Sequence, residues 1–449
     1  MNDVDAIVIG SGQGGVPFAV DLARAGKQVV IFERGRLGGS CVNYGCTPSK
    51  AFLAAAHAAG RARDAATLGI HAEVRVDFPA VMERVRSIRD EWTAGVEDKV
   101  RDAQIVLVRA EAHFSGERTV TGGTATYRAP LVVINTGTSA AVPKVEGLGD
   151  VPYLTNESFF EQRALPGTML VMGGGYIGLE LGQGMARLGS RVHIVDPGPH
   201  VLGREEADAA EMLQRGLERD GVALHLGRRV TSARKDDGGC VLTLDDGSEL
   251  RGDALLVATG RVPNTKMLEA PANGIELDER GNVRIDDQFR TTCDGVYSIG
   301  DAAGQPAFTH VSWEDYRRLT DIVAGGARTR DDRVLAYSTF TEPQVARVGM
   351  TIDQAREAGH DAREKIYRNE DMARAVEWGH DLGFYRLVVE VKTDRILGAT
   401  LVGYEAGEIV HVILAHIEAK ATWHDLDRCV HIHPTYCEVL PSLARLFAG

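Results

Sequence analysis

The apolar positions of this chain gather in short unbroken runs that alternate with stretches of helical spacing. Residues 5–33 read "DAIVIGSGQGGVPFAVDLARAGKQVVIFE". The run Ala6–Ile9 is apolar at every position, as a strand covered on both faces of a parallel sheet must be. Gly10, Gly12 and Gly15 follow in G-x-G-x-x-G spacing at the opening of a predicted helix. A second apolar strand, "QVVIF", then ends in Glu33. Residues 168–196, "TMLVMGGGYIGLELGQGMARLGSRVHIVD", repeat the pattern at a constant offset of 163. Gly173, Gly175 and Gly178 match the three glycines, Ala186 matches Ala23, Gly189 matches Gly26, and Asp196 matches Glu33. A single glycine fingerprint is a weak signal. Two copies with strand, helix, strand and acid in register predict two Rossmann-like units.

Such a unit turns backbone N–H groups and a helix N-terminus toward a pyrophosphate, and its acid takes ribose hydroxyls. The chain is therefore expected to hold two dinucleotides. The copies differ inside the helix, where position 17 is Pro and position 180 is Glu. A carboxylate so close to a bound dinucleotide needs a partner.

Length and charge narrow the picture. A chain of 449 residues is too long for one core and predicts two to four domains. A formal net charge of -13 argues against nucleic acid or an anionic membrane as partner. No apolar run is long enough to span a bilayer. "MNDVDAIVIGSG" lacks the basic-then-apolar order of a secretory leader, so a cytoplasmic location is expected. Six cysteines in such a chain do not make a secreted disulfide framework, and a disulfide here is expected to be catalytic.

The cysteines raise the sharper question. In "GGSCVNYGCTPSK" (38–50), Cys41 and Cys46 stand five apart, a spacing that fits neither a C-x-x-C redox motif nor a zinc knuckle. In a regular helix, residues five apart lie roughly 8–9 Å from each other, beyond the about 7 Å that a disulfide allows. If the two are bonded, the segment between them cannot be regular helix, and Gly45 makes a break cheap. A helix starting near Pro48 would set its positive end beside the thiols. Two unlinked buried cysteines remain the alternative.

On these residues the chain resembles the class I pyridine nucleotide–disulfide oxidoreductases, the family of glutathione reductase, dihydrolipoamide dehydrogenase and mercuric reductase. The resemblance covers essentially the whole length. The family's redox motif is matched from Gly38 to Lys50. "VVINTGTSA" (132–140) and "LLVATGRVPN" (255–264) look like its two T-G turns, with Gly137 and Gly260. "GVYSIGDAA" (295–303) looks like its second flavin motif, with Gly300 and Asp301. "YSTFTEPQVARVGMT" (337–351) looks like the start of its interface domain, and "HIHPTYCE" (431–438) like its C-terminal His–Glu signature.

The resemblance implies an α/β enzyme with two Rossmann-like domains and a C-terminal α+β dimerisation domain. It divides the chain into an FAD segment (1–149), a nicotinamide-binding insert (150–262), a return to the FAD domain (263–336) and an interface domain (337–449). Glu33 would take the ribose of FAD and Asp301 its ribityl chain. Tyr176 matches a gating tyrosine. Glu180 would pair with Lys50 beside the flavin, where an ammonium stabilises negative charge. Cys46 would be the thiolate nearer the flavin and Cys41 the thiol that meets substrate. His433 would reach the partner subunit's cysteines as acid–base, oriented by Glu438, so the enzyme would be a homodimer with shared active sites. Asp196, followed by Pro197 and Gly198, suits the free 2′-hydroxyl of NADH, although Arg204 leaves NADPH open.

The substrate is implied only as a class: a small disulfide or lipoyl-type compound. The tail lacks the vicinal cysteines of mercuric reductases, yet the chain looks closest to a mercuric-reductase-like branch. Dihydrolipoamide oxidation with NAD+, Hg(II) reduction and a redox sensor with little turnover stay open. Cys437 and Cys429 bracket His433, and Cys437 is either a soft-metal or resolving thiol or a small buried hydrophobe. His431 is unassigned, and no resident metal is expected.

Overall fold

The computed structural model describes residues 1–448, and Gly449, the end of the expected interface segment, lies outside them. Three sheets organise the chain. The first is parallel and five-stranded, in the order Val296–Ser298, Leu131–Ile134, Ala6–Ile9, Val29–Phe32, Val106–Val108. Every residue of Ala6–Ile9 and Val29–Phe32 is buried, which is why their sequences do not alternate. Between the first and second of these, in space, the chain makes a long excursion. It leaves after Leu131–Ile134 and returns to Val296–Ser298 only after building a second parallel sheet, in the order Val222–Leu226, Arg191–Asp196, Thr168–Met172, Ala254–Val257. The outgoing stretch Thr138–Ala140 and the returning stretch Arg261–Pro263 pair antiparallel as they pass.

The helices that matter are α1 (Gly15–Arg24), α2 (Gly39–Tyr44), α3 (Cys46–Asp64), α4 (Phe78–Asp102), α5 (Tyr176–Leu188), α6 (Ala207–Arg219) and α7 (Thr309–Val323). Each G-x-G-x-x-G leads into its helix, α1 or α5, as the spacing predicts. Gly10 (φ +100°) and Gly173 (φ +112°) take the left-handed backbone that only glycine holds without strain. A Cβ at either would run into a carbonyl oxygen of the next strand's end, Asn135 or Ala258.

The third sheet is antiparallel, in the order Ala336–Thr339, Gln344–Gly349, Ile396–Gly403, Phe384–Glu390, Ala362–Arg368. It buries Tyr385, Leu387 and Leu401 against Ile409 and Ile413 of α8 (Ala406–Glu418) and Leu440 and Leu443 of α9 (Val439–Arg445). The molecule is thus mixed α/β, with two Rossmann-like units and a C-terminal α+β domain. One apolar cluster runs through all three parts, joining Phe52, Leu181, Met185, Val345 and Val402. At its centre α3 lies against α5, and Gly184 sits where a Cβ would strike the Phe52 ring.

Among the described residues no helix is long and apolar enough to cross a membrane. The tight seam gives a test. Gly184→Ala should cost about 1–3 kcal/mol through overpacking, seen as a lower thermal unfolding temperature, and adding Phe52→Leu should recover part of the loss.

Candidate functional site

The redox motif folds as two helices joined by an elbow. α2 stops at Tyr44, Gly45 takes φ -132° and ψ -120°, and α3 begins at Cys46. The expected break in the helix between the cysteines is there. The second helix starts two residues before Pro48, which sits in its first turn. A Cβ on Gly45 would lie 2.9 Å from the Ser40 carbonyl oxygen and 3.3 Å from Cys41 Cα, so the approach of the two thiols requires glycine. Buried Asn43 pins the elbow. Its amide donates to the carbonyls of Leu37 (2.8 Å) and Gly39 (3.0 Å), and its Oδ1 accepts from Thr93 of α4 at 2.9 Å.

Both cysteines are free thiols in this structure, and a hydrogen bond from the Cys41 thiol would stabilise a thiolate at Cys46. Cys46 also lies 3.0 Å from Thr309 Oγ1, at the first turn of α7. The bond from Cys41 holds the Cys46 thiolate most strongly, burial works against it, and Thr309 and the Lys50 ammonium add to it. The net effect pushes Cys46 down to about 6. The same bond, then burial, push Cys41 up. Two chemically equal thiols are thereby made unequal, with the charge on the one that starts a 19-residue helix.

One turn along α3, Lys50 Nζ donates to Glu180 Oε2 of α5 at 2.7 Å. Glu180 is 3% exposed, and its other oxygen accepts from the Phe340 N–H at 3.0 Å. The carboxylate that sets the second repeat apart from the first thus has its partner.

The two dinucleotide units carry the same clamp. Glu33 accepts from the N–H groups of Ser11 (2.9 Å) and Gly35 (2.7 Å). Asp196 accepts from Gly174 (2.6 Å) and Gly198 (2.7 Å), the positions 163 further on. Gly15 N–H donates to Asn135 Oδ1 at 2.8 Å, a Cβ on Gly12 would meet that same oxygen at 3.0 Å, and Gly175 stands open at the start of α5. Gly178, like Gly15, packs against the carbonyl of its own first glycine.

A pocket of about 150 Å³ opens between Gly10, Phe32, Glu33 and Thr136, and Thr136 Oγ1 is buried there without a hydrogen-bond partner. A slot walled in part by Ile9, Phe32, Met267 and Leu268, with the Glu33 carboxylate and an unmet hydroxyl among its polar groups, fits an adenosine half. Asp301 caps no helix with its side chain. It accepts from Thr138 Oγ1 at 2.7 Å, with Arg261 4.0 Å away, on the stretches that follow Gly137 and Gly260. Gly300 N–H donates to buried Asp315 Oδ2 at 2.9 Å. These residues fit a flavin dinucleotide. Tyr176 opens α5, tilts toward Phe308 with ring centres 6.1 Å apart, and is pushed up to about 12 by burial.

His433 lies in another place. Its Nδ1 sits 2.8 Å from Glu438 Oε2, and its side chain is 75% exposed. No hydrogen bond links it to Cys41 or Cys46 of its own chain among the described residues. Cys437 is half-buried against the core of the third sheet, and burial pushes its thiol up. Exposed Cys429 donates to the Asp425 carbonyl at 3.3 Å. His431 Nδ1 lies 3.4 Å from the Cys429 carbonyl. Among the described residues no group of three or more His, Cys, Asp and Glu could hold a metal ion.

Three participants escaped the sequence. Thr309 falls inside "FTHVSWEDYR", a stretch noticeable only for its difference. Asn135 falls inside "VVINTGTSA" and Phe340 inside "YSTFTEPQVARVGMT", but nothing local singles either out, because their contacts join distant parts of the chain.

The family model described as pyridine nucleotide-disulphide oxidoreductase matches residues 4–315, and that family's dimerisation-domain model matches 335–444. The dihydrolipoyl dehydrogenase of Haloferax volcanii is 32% identical, over 99% of this chain and 96% of its own. The mercuric reductase of Streptomyces lividans is 34% identical with the same coverage. The HOCl-induced flavoprotein disulfide reductase RclA from Escherichia coli superimposes with a TM-score of 0.90 at 30% identity, covering 98% of this chain and 99% of that one. Its Cu(II) complex gives 0.91 at 29%.

The thiol geometry predicts a titration. In the reduced protein one active-site thiolate should appear as pH rises through about 6, read by its ultraviolet absorbance. Cys46 is an acid with a lowered pKa, so the charge is present above that pH and lost below it. Thr309→Val removes a donor and should move the midpoint upward by about half a unit.

Proposed function

The chain belongs to the pyridine nucleotide-disulphide oxidoreductase family, and we propose that it works as an NADH-dependent reductase of small disulfides or similarly thiol-reactive oxidised compounds, with Cys41 and Cys46 as its redox pair. The observation that carries this reading is the elbow at Gly45, which sets Cys46 at the start of α3, 3.0 Å from Thr309 and one turn before the Lys50–Glu180 pair, surroundings that push Cys46 down and Cys41 up. FAD, when bound, supplies two-electron transfer between nicotinamide and sulfur. Gly10, Gly12 and Gly15 would hold its pyrophosphate, Glu33 its ribose and Asp301 its ribityl chain. Gly173, Gly175, Gly178 and Asp196 would hold the nicotinamide cofactor, and the Asp196 carboxylate disfavours a 2′-phosphate.

The thiol steps belong to the protein. His433 of the partner subunit takes the Cys41 proton, and the resulting thiolate attacks the substrate disulfide. A mixed disulfide forms, and the departing sulfur leaves with that proton. The Cys46 thiolate then attacks Cys41 sulfur, closing the Cys41–Cys46 bond and expelling the second thiolate. Glu438 at 2.8 Å fixes Nδ1–H, which leaves His433 Nε2 as the working nitrogen. The dimerisation domain supports the trans arrangement, as do fully exposed Val430 and largely exposed Ile432, which flank His431 beside His433 and suit cover by a second copy.

The same bonds run backward describe dihydrolipoamide oxidation, and the 32% identity to a dihydrolipoyl dehydrogenase favours that second reading. A turnover panel separates them: NADH with lipoamide, glutathione disulfide, coenzyme A disulfide, Hg(II) and Cu(II), against NAD+ with dihydrolipoamide. The proposal expects a disulfide to be the best substrate, with NADH preferred to NADPH. Bound flavin with no steady-state turnover on any arm sinks both readings.

The shared site has its own test. Cys41→Ser and His433→Ala should each suppress disulfide reduction, the latter by about 10²–10⁴-fold. Chains carrying one change each, mixed at random, should regain about a quarter of wild-type activity, since half of the dimers keep one intact site.

A further inference from the structure

Residues 339–343 join the first two strands of the third sheet, Ala336–Thr339 and Gln344–Gly349, and this stretch lies across the seam of α3 and α5. Phe340 touches both helices. Its N–H donates to Glu180 Oε1 at 3.0 Å, its carbonyl accepts from His57 Nε2 at 3.2 Å, and its ring centre lies 4.4 Å from Lys50 Nζ. Two residues on, Glu342 exchanges backbone bonds with the Gln183 amide at 2.8 and 2.7 Å, and its carboxylate meets Arg187.

His57 makes the anchoring directional. Arg187 Nη1 stands 3.0 Å from His57 Nδ1. A guanidinium can only donate, so Nδ1 is the bare nitrogen and Nε2–H is the donor to Phe340. Burial, then the Arg187 charge, push His57 down to about 4, so it stays neutral in this tautomer at physiological pH. The main chain of Phe340 is therefore gripped from both helices.

All of this converges on one ammonium. Lys50 is a compact charge on a flexible stem, and its side chain is 35% exposed. Among the described residues one Glu180 oxygen is its ionic partner. The face of the Phe340 ring covers another side and attracts the charge electrostatically. Remove the ring and water competes for that side.

We propose that Phe340 is a positioning residue for Lys50: its main chain fixes the Glu180 carboxylate, its ring caps the ammonium, and together they hold the positive charge beside Cys46. The proposal rests on the reading of Cys46 as the working thiolate. It assigns a task at the thiol pair to a residue of the third sheet.

The test uses the flavin-loaded dimer in a Cys41→Ser background, which leaves one active-site sulfur. The readout is the pH midpoint of Cys46 alkylation by iodoacetamide, located by peptide mass. Phe340→Leu keeps the main-chain bonds and removes the ring. It should raise the midpoint by about half a unit, a roughly threefold fall in the thiolate-to-thiol ratio at a given pH. Phe340→Trp should return it toward the parent value. With Lys50→Met already present, Phe340→Leu should add nothing. Phe340→Met, nearer in volume, gives the same readout should the leucine variant lose its flavin. An unchanged midpoint, or an equal rise with and without Lys50, overturns the proposal and leaves the thiolate reading standing. A midpoint near about 8.5, the ordinary thiol value, in the reduced dimer that keeps both cysteines overturns both.

Discussion

A carboxylate taken out of water must be paired and hydrogen-bonded, or it gives up its charge. Glu180 is the carboxylate on which this molecule turns. It sits in the seam of α3 and α5, bound by Lys50 through one oxygen and by the Phe340 N–H through the other. Three parts of the chain have to be in place before that charge is satisfied: α3, the helix of the second dinucleotide unit and the turn between the first two strands of the third sheet. The geometry of the thiol pair therefore depends on the assembly of the whole chain.

Other buried charges repeat the arrangement along the same boundaries. Arg187, on α5, bonds Asp220 at 2.7 Å beyond the end of α6 and reaches Glu342. Arg386, on the third sheet, is 5% exposed and faces Glu206, Asp208 and Glu364. Removing one partner of such a cluster strands the others, so each costs more to break than its net contribution when intact. The apolar cluster through Phe52, Met185 and Val402 supplies the adhesion. The ion pairs set which face meets which.

Much of this was readable in the amino-acid order because backbone geometry forced the residue type. Only glycine takes φ +100° at position 10 and φ +112° at 173, so the two dinucleotide units announced themselves. The clamp on Glu33 and Asp196 followed from the offset. Helix starts were less exact. Proline marks a first turn but not which residue of it, and α3 begins at Cys46 rather than Pro48. The partners of the thiol pair were out of reach. Thr309 lies 263 positions from Cys46, and Phe340 lies 160 from Glu180. No local pattern encodes contacts that only the finished tertiary structure creates.

The ladder between Thr138–Ala140 and Arg261–Pro263 has a consequence for ancestry. A polypeptide can accept a foreign module without disturbing itself where its two severed ends lie side by side. Here they run antiparallel and hydrogen-bonded, a doorway one ladder wide. Duplication of a single ancestral nucleotide-binding unit, with one copy spliced into the other at this doorway, would yield the constant offset and the nested strand order together. The later divergence of Pro17 and Glu180 would then record which copy was recruited to face sulfur.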